Sequence, residues 1–217
     1  MNPRKLLLHS FNAAIAAADP LLIVPRHLPK PPAGRTLVVG AGKAAATMAL
    51  AVENHWPETA VLNGIVVTRY GHGIPTNRIT VIEAGHPFPD EQGEQAARNI
   101  LAEVNKLGVD DLLLCLLSGG GSSLLSLPVA NVALHDLQAI TRELLRSGAT
   151  IQEINAVRKH LSVIQGGRLA ASCRAPILAL VISDVTGDDP THVASGPCAP
   201  DPTTYQQALA ILERYQI

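Results

Sequence analysis

At 217 residues, with 47% apolar but only 3% aromatic side chains, the chain is long enough for a real core and must build it from Leu, Val, Ile and Ala. Its 17 Lys and Arg against 18 Asp and Glu give a net charge of −1, and no basic run exceeds Arg4-Lys5, so the positive face that a nucleic acid needs is missing. The three cysteines, Cys115, Cys173 and Cys198, are odd in number and lie in no CxxC or Cys/His metal spacing, which makes reduced, cytoplasmic thiols the expectation.

Arg4-Lys5 before Leu6-Leu7-Leu8 imitates a secretion signal, but His9, Ser10 and Asn12 interrupt it. Leu7, Phe11 and Ile15 recur at i, i+4 and i+8, the spacing of an amphipathic helix. No apolar run approaches the roughly 18 residues of a membrane span, so no membrane role is expected. Pro20 to Gly34 carries five prolines and reads as a rigid connector. A rhythm then begins: strand Thr36–Val39, helix Lys43–His55, strands Ile65–Thr68 and Ile79–Ile82, helix Asp90–Lys106, strand Leu112–Leu117. Helices Leu134–Arg146 and Gln152–His160 follow, the second opened by the capping box Thr150-x-x-Glu153. A short helix near Gly167–Ser172, a strand Ile177–Ile182 and a last helix, with Asp201 as N-cap and Pro202 at its first position, complete the chain. Strands alternating with helices in this way imply βαβ units, hence an α/β fold with a parallel sheet covered on both faces and ligands at the carboxyl ends of the strands.

Four loops stand at such ends. Ser118-Gly119-Gly120-Gly121-Ser122-Ser123 follows an apolar strand; its glycines let backbone N–H groups converge and its serines add hydroxyl donors, which suits phosphate. Gly40-Ala41-Gly42-Lys43-Ala44-Ala45 fits the dinucleotide pattern G-x-G-x-x-G/A, with Lys43 placed as a point charge on a phosphate. No acidic residue ends the second strand to hold a ribose; Arg69 stands there and suits a 2′-phosphate. Glu83-Ala84-Gly85-His86-Pro87-Phe88-Pro89-Asp90 offers Glu83, Gly85 and His86 to a hydroxy-acid substrate, with Asp90 as a helix cap. Asp184, Asp188 and Asp189 cluster after the last strand, a hard-oxygen set of the kind that holds Mg²⁺ beside a nucleotide or deprotonates a hydroxyl. Arg158 and Lys159, near Gly166-Gly167, either reach anionic ligand groups or form an exposed helix face.

Together these loops resemble the glycerate 2-kinase family, whose members also carry the name hydroxypyruvate reductase in tartrate utilisation. The matching pieces are Val39–Ala45, Glu83–Asp90, Leu117–Ser123, Asn155-x-x-Arg158-Lys159-His160-Leu161-Ser162, Ser183-Asp184-Val185-x-Gly187-Asp188 and Ala194-Ser195-Gly196-Pro197. The resemblance implies a Rossmann-like amino-terminal domain spanning residues 1–217 and ATP-dependent phosphorylation of D-glycerate at its 2-hydroxyl with a divalent metal. It places the family's lysine on Lys43 and its acidic position on Asp184 or Asp188, and lays the glycine–serine loop on the phosphates. Relatives are about twice as long, so the covering carboxyl-terminal domain, with its arginine and aspartate, is expected to be missing and the chain to turn over poorly alone. Whether the bare cleft face forms a homodimer stays open. Two alternatives remain: an NADPH-dependent reductase using Gly40-x-Gly42-x-x-Ala45, Arg69 and a proton from His86 or His192, and a non-catalytic nucleotide or sugar-phosphate binder.

Overall fold

The computed structural model describes residues 2–217. Helix α1 (Pro3–Ala17) opens the chain, capped by the Asn2 side chain. Its apolar face forms as the spacing predicts, yet it is turned to solvent: Leu7 is 71% and Phe11 62% exposed. The expected connector is helical at its start, α2 (Pro20–Ile23) running into a 3-10 turn at Val24–His27. The reason is local: Asp19 accepts the Leu21 N–H and Pro20 occupies the first helical position. Among the described residues no single helix is long and apolar enough to cross a membrane; α1 and Pro20–His27 pass by length and composition only as a pair, bent by 55°.

Five strands follow: β1 (Thr36–Ala41), β2 (Leu62–Arg69), β3 (Ile79–Ala84), β4 (Leu112–Ser118) and β5 (Ile177–Ile182). They form one parallel sheet in the order β3-β2-β1-β4-β5, so β1 is the central strand, flanked by β2 and β4. β4 is buried along its whole length, as an uninterrupted run of Leu and Cys requires when both faces are covered. Alternation sends Leu37, Val39, Leu113 and Cys115 to one face, against α4 (Glu91–Val104). Val38, Val66, Leu114 and Leu116 go to the other, against α3 (Ala45–His55) and Val24. Helix α4 starts at Asp90, whose carboxylate accepts the Gly93 N–H at 2.9 Å.

The remaining helices are α5 (Gly121–Leu124), α6 (Leu134–Arg146), α7 (Ile151–His160), α8 (Arg168–Ala171) and α9 (Tyr205–Tyr215). α7 begins at the Thr150–Glu153 capping box. α6, α7 and α9 pack on one another through Leu144, Ile154, Val157, Ala208 and Ile211, a third core away from the sheet. One boundary differs from expectation. α9 is capped by Thr204 with Gln207, not by Asp201, because Asp201 is held by Lys159 of α7 at 2.9 Å and by Thr203.

Candidate active site

The carboxyl ends of the strands open into a cleft of about 430 Å³ lined by Lys43, His86, Gly120, Ser122, Arg158 and Asp184, with Asn155, His192 and Ala194 at its side. Lys43 follows β1, His86 follows β3, Gly120 follows β4 and Asp184 follows β5. Lys43 Nζ is 4.0 Å from Asp184 Oδ2, both half-exposed. A Cβ added to Gly119 would sit 1.9 Å from Asp184 Oδ2, and one on Gly120 would sit 2.8 Å from the His86 ring. The glycine loop therefore lies flat beneath the three side chains, and Gly120 turns it with φ +88°.

The turn after β1 does different work from the dinucleotide pattern. Gly40 is inside the strand, where a Cβ would fall 2.2 Å from the Leu116 carbonyl oxygen. Gly42 N–H donates to Val67 O, Lys43 N–H to Gly119 O, Ala44 N–H to Ser118 Oγ and Ala45 N–H to Gly42 O. The four N–H groups from Gly42 to Ala45 are thus taken by protein, which leaves them no donor for a phosphate. Gly40 and Gly42 let the turn dock on the β4 loop, which fixes Lys43 over Gly120. Sequence pattern alone cannot distinguish these uses, because both demand glycine.

The serines also differ from expectation. Ser118 is buried beneath Gly42 and accepts from Ala44, out of reach of the cleft. Ser123 donates to the Gly120 carbonyl at 3.2 Å. Ser122 Oγ lies 2.8 Å from Ser195 Oγ. With the hydroxyls so engaged, the donors left to an anion are the backbone N–H groups at the start of α5, where Gly120, Gly121 and Ser122 open the turn. Two further residues are structural rather than substrate-facing. Glu83 accepts the Gly73 N–H at 2.7 Å and holds the loop after β2. Gly85 allows the cis His86–Pro87 turn, where a Cβ would lie 2.6 Å from Phe88 O.

The acidic loop does not gather its carboxylates. Asp189 accepts the Thr191 N–H at 2.8 Å and Asp188 is exposed at a left-handed φ of +54°. Among the described residues no three carboxylate, His or Cys side chains converge on a cation position. Asp188 and Asp189 thus do not fit a protein-chelated Mg²⁺, and Asp184 alone of the three lines the cleft.

Arg158 has the most unusual setting. Burial lowers its guanidinium pKa to about 10, and among the described residues no carboxylate lies within ion-pair distance of it. It lines the cleft and a small cavity of about 10 Å³ beside Ser126 and Gln165. His86 is held below the ordinary imidazole range, first by burial and then by the charges of Lys43, Arg69 and Arg158. The Asp184 carboxylate opposes that shift, so the imidazole sits among three cations and one anion, a balance of charge that suits a negative ligand.

Asn155 and Ser195 stand in the matching motifs, but the sequence assigns them no role. Asn155, buried on α7, donates from Nδ2 to His192 O and accepts from Ser195 Oγ at 3.2 Å. Ala194 and Ser195 hold left-handed φ values of +53° and +59°, rare for residues with a side chain. The only sequence signal was Ala194-Ser195-Gly196-Pro197, whose strain is invisible in residue types.

Residues 6–217 match the model of a family described as a domain of unknown function, DUF4147. The chain belongs to that family. A protein of Agrobacterium vitis with a provisional hydroxypyruvate reductase name is 54% identical over all of this chain and 50% of its own length. A glycerate 2-kinase of Pyrococcus horikoshii is 46% identical over 85% of this chain and 41% of itself. The crystal structure of a Thermotoga maritima glycerate kinase superposes with a TM-score of 0.88 at 43% identity, covering 98% of this chain and 52% of that one. The chain spans about half the length of the curated relatives it matches.

Proposed function

We propose that this cleft binds ATP and D-glycerate and serves transfer of the γ-phosphoryl group to the 2-hydroxyl, giving 2-phosphoglycerate and ADP. The observation that carries the reading is Arg158, a desolvated guanidinium without a carboxylate partner, in the same cleft as Lys43 and the glycine loop. A planar guanidinium matches the glycerate carboxylate through two parallel hydrogen bonds. Lys43 and the N–H groups of Gly120, Gly121 and Ser122 neutralise phosphoryl oxygens, the electrostatic work that phosphoryl transfer requires. Asp184 takes the proton of the 2-hydroxyl as that oxygen bonds to phosphorus and the bond to ADP breaks; Asp188, on the outer rim, is the weaker candidate. Neutral His86 donates or accepts a hydrogen bond beside Lys43. The names of the Pyrococcus and Thermotoga relatives support this reading. The reductase alternative has the name of the Agrobacterium relative behind it, but in the β1–α3 turn the N–H groups of Gly42, Lys43, Ala44 and Ala45 are bound within the protein, which disfavours a pyrophosphate there.

Titration calorimetry tests it. ATP and D-glycerate should bind the unaltered chain, and NADPH should not. Lys43→Ala should weaken ATP, and Arg158→Gln should weaken glycerate, each by about 10-fold or more, the cost of a lost charged hydrogen bond. Binding of NADPH in place of ATP would overturn the proposal.

A further inference from the structure

Ser122 is half-buried in the cleft, and the protons of its hydrogen-bond chain can be placed by elimination. Asn155 Nδ2 points at the His192 carbonyl oxygen, so its Oδ1 must be the atom facing Ser195. Flipping the amide would set two acceptors against each other. A buried amide oxygen only accepts, and leaving it unpaired costs on the desolvation scale, so the single Ser195 proton goes to Oδ1. Ser195 Oγ is placed to donate to Ser122 Oγ at 2.8 Å or to Asn155 Oδ1 at 3.2 Å, but its one proton cannot serve both; spent on Asn155, it leaves Ser195 Oγ to accept from Ser122. The Ser122 proton is drawn inward to Ser195, and its lone pairs are what remain for the cleft. The left-handed turn at Ala194 and Ser195 holds this arrangement, with Ala194 pressed on Gly121.

We propose that Ser122 faces the cleft as a hydrogen-bond acceptor, so that it recognises a substrate hydroxyl and not a phosphoryl oxygen. The chain Asn155–Ser195–Ser122 sets this polarity, which makes Ser122 a specificity residue for polyhydroxy acids and leaves phosphate to the backbone N–H groups. This rests on the glycerate reading of the cleft and adds to it which side chain reads a hydroxyl.

The test uses the 217-residue chain and its Ser122→Ala variant, a substitution that a half-buried helical position accepts without loss of fold. Binding of D-glycerate, D-lactate (no 3-hydroxyl), 3-hydroxypropionate (no 2-hydroxyl) and ATP is followed by NMR titration. Ser122→Ala should weaken D-glycerate about five-fold, as loss of one neutral hydrogen bond predicts, and leave ATP unchanged. The five-fold penalty should vanish for whichever deoxy analogue lacks the recognised hydroxyl, which also identifies that hydroxyl. A penalty that persists with both analogues, or one that falls on ATP, overturns the proposal while leaving glycerate binding intact. Failure of the unaltered chain to bind D-glycerate overturns the functional reading and this proposal with it.

Discussion

Arg158 and Lys159 are adjacent in sequence and meet opposite fates. Arg158 lines the cleft with no ion-pair partner among the described residues, whereas Lys159 is fully buried and reaches Asp201 at 2.9 Å. That ion pair anchors α7, the helix that delivers Arg158 and Asn155. Burial pushes the Asp201 pKa up, but hydrogen bonds from Thr203 and Lys159 outweigh it and hold the carboxyl below its usual range. A carboxylate with a depressed folded pKa stabilises the fold fully above the ordinary Asp range, and the contribution fades as pH falls through the lower folded value. Thermal unfolding should therefore show a loss of stability beginning near pH 4. Lys159→Ala strands a buried carboxylate and should cost about 3–5 kcal/mol at pH 7, a melting temperature lower by roughly 10 °C. The acid-side loss should shrink in the same variant. A melting temperature unchanged at pH 7 would show that the pair does not anchor α7.

At the scale of elements, glycines that look alike in sequence divide by what opposes them. Gly40 meets the Leu116 main chain in the interior of the sheet, where neither strand can withdraw, while the nearest atoms to Gly119 are the carboxylate end of the exposed Asp184 side chain. Gly40→Ala should destabilise the fold by about 1–3 kcal/mol or more, and Gly119→Ala should leave melting nearly unchanged while displacing Asp184. Equal losses of melting temperature in calorimetric scans would contradict that division. The same distinction explains what was legible in advance. The five strands, the parallel sheet and the caps at Asp90 and Thr150 depend on neighbours within a few residues, and pattern suffices for them. Asp201 was misread as a cap because its partner lies 42 residues away. Gly40, Gly42 and Ser118 read as phosphate ligands from pattern alone, whereas their contacts come from neighbouring strands distant in sequence. Ser195 and Asn155 stand in motifs that the sequence shows, but their pairing across 40 residues has no local signal.

Across the whole molecule, charge is almost balanced, so anion affinity must come from the local grouping of Lys43, Arg158 and Arg69 around His86. Lys43 and Asp184 keep side-chain exposures of 45% and 56%, which leaves their charges in water. At 4 Å two unit charges interact by about 1 kcal/mol in bulk water and about 4 kcal/mol at the effective dielectric of a protein surface. Binding tolerates the wet limit, because a triphosphate offers several charges at once. Turnover does not, since stabilising charge that develops in transit depends on excluding solvent. The 217 residues by themselves should thus bind ATP in a salt-sensitive manner, with affinity falling as ionic strength rises past the point where the screening length is about 10 Å. They should nonetheless phosphorylate glycerate far below the ordinary enzyme range of about 1–10³ per second. Single-turnover assays with saturating ATP and D-glycerate check this directly. A rate within that range from this chain would mean that an open, hydrated cleft is sufficient for the chemistry, and that the electrostatic argument for Lys43 needs no drier surroundings.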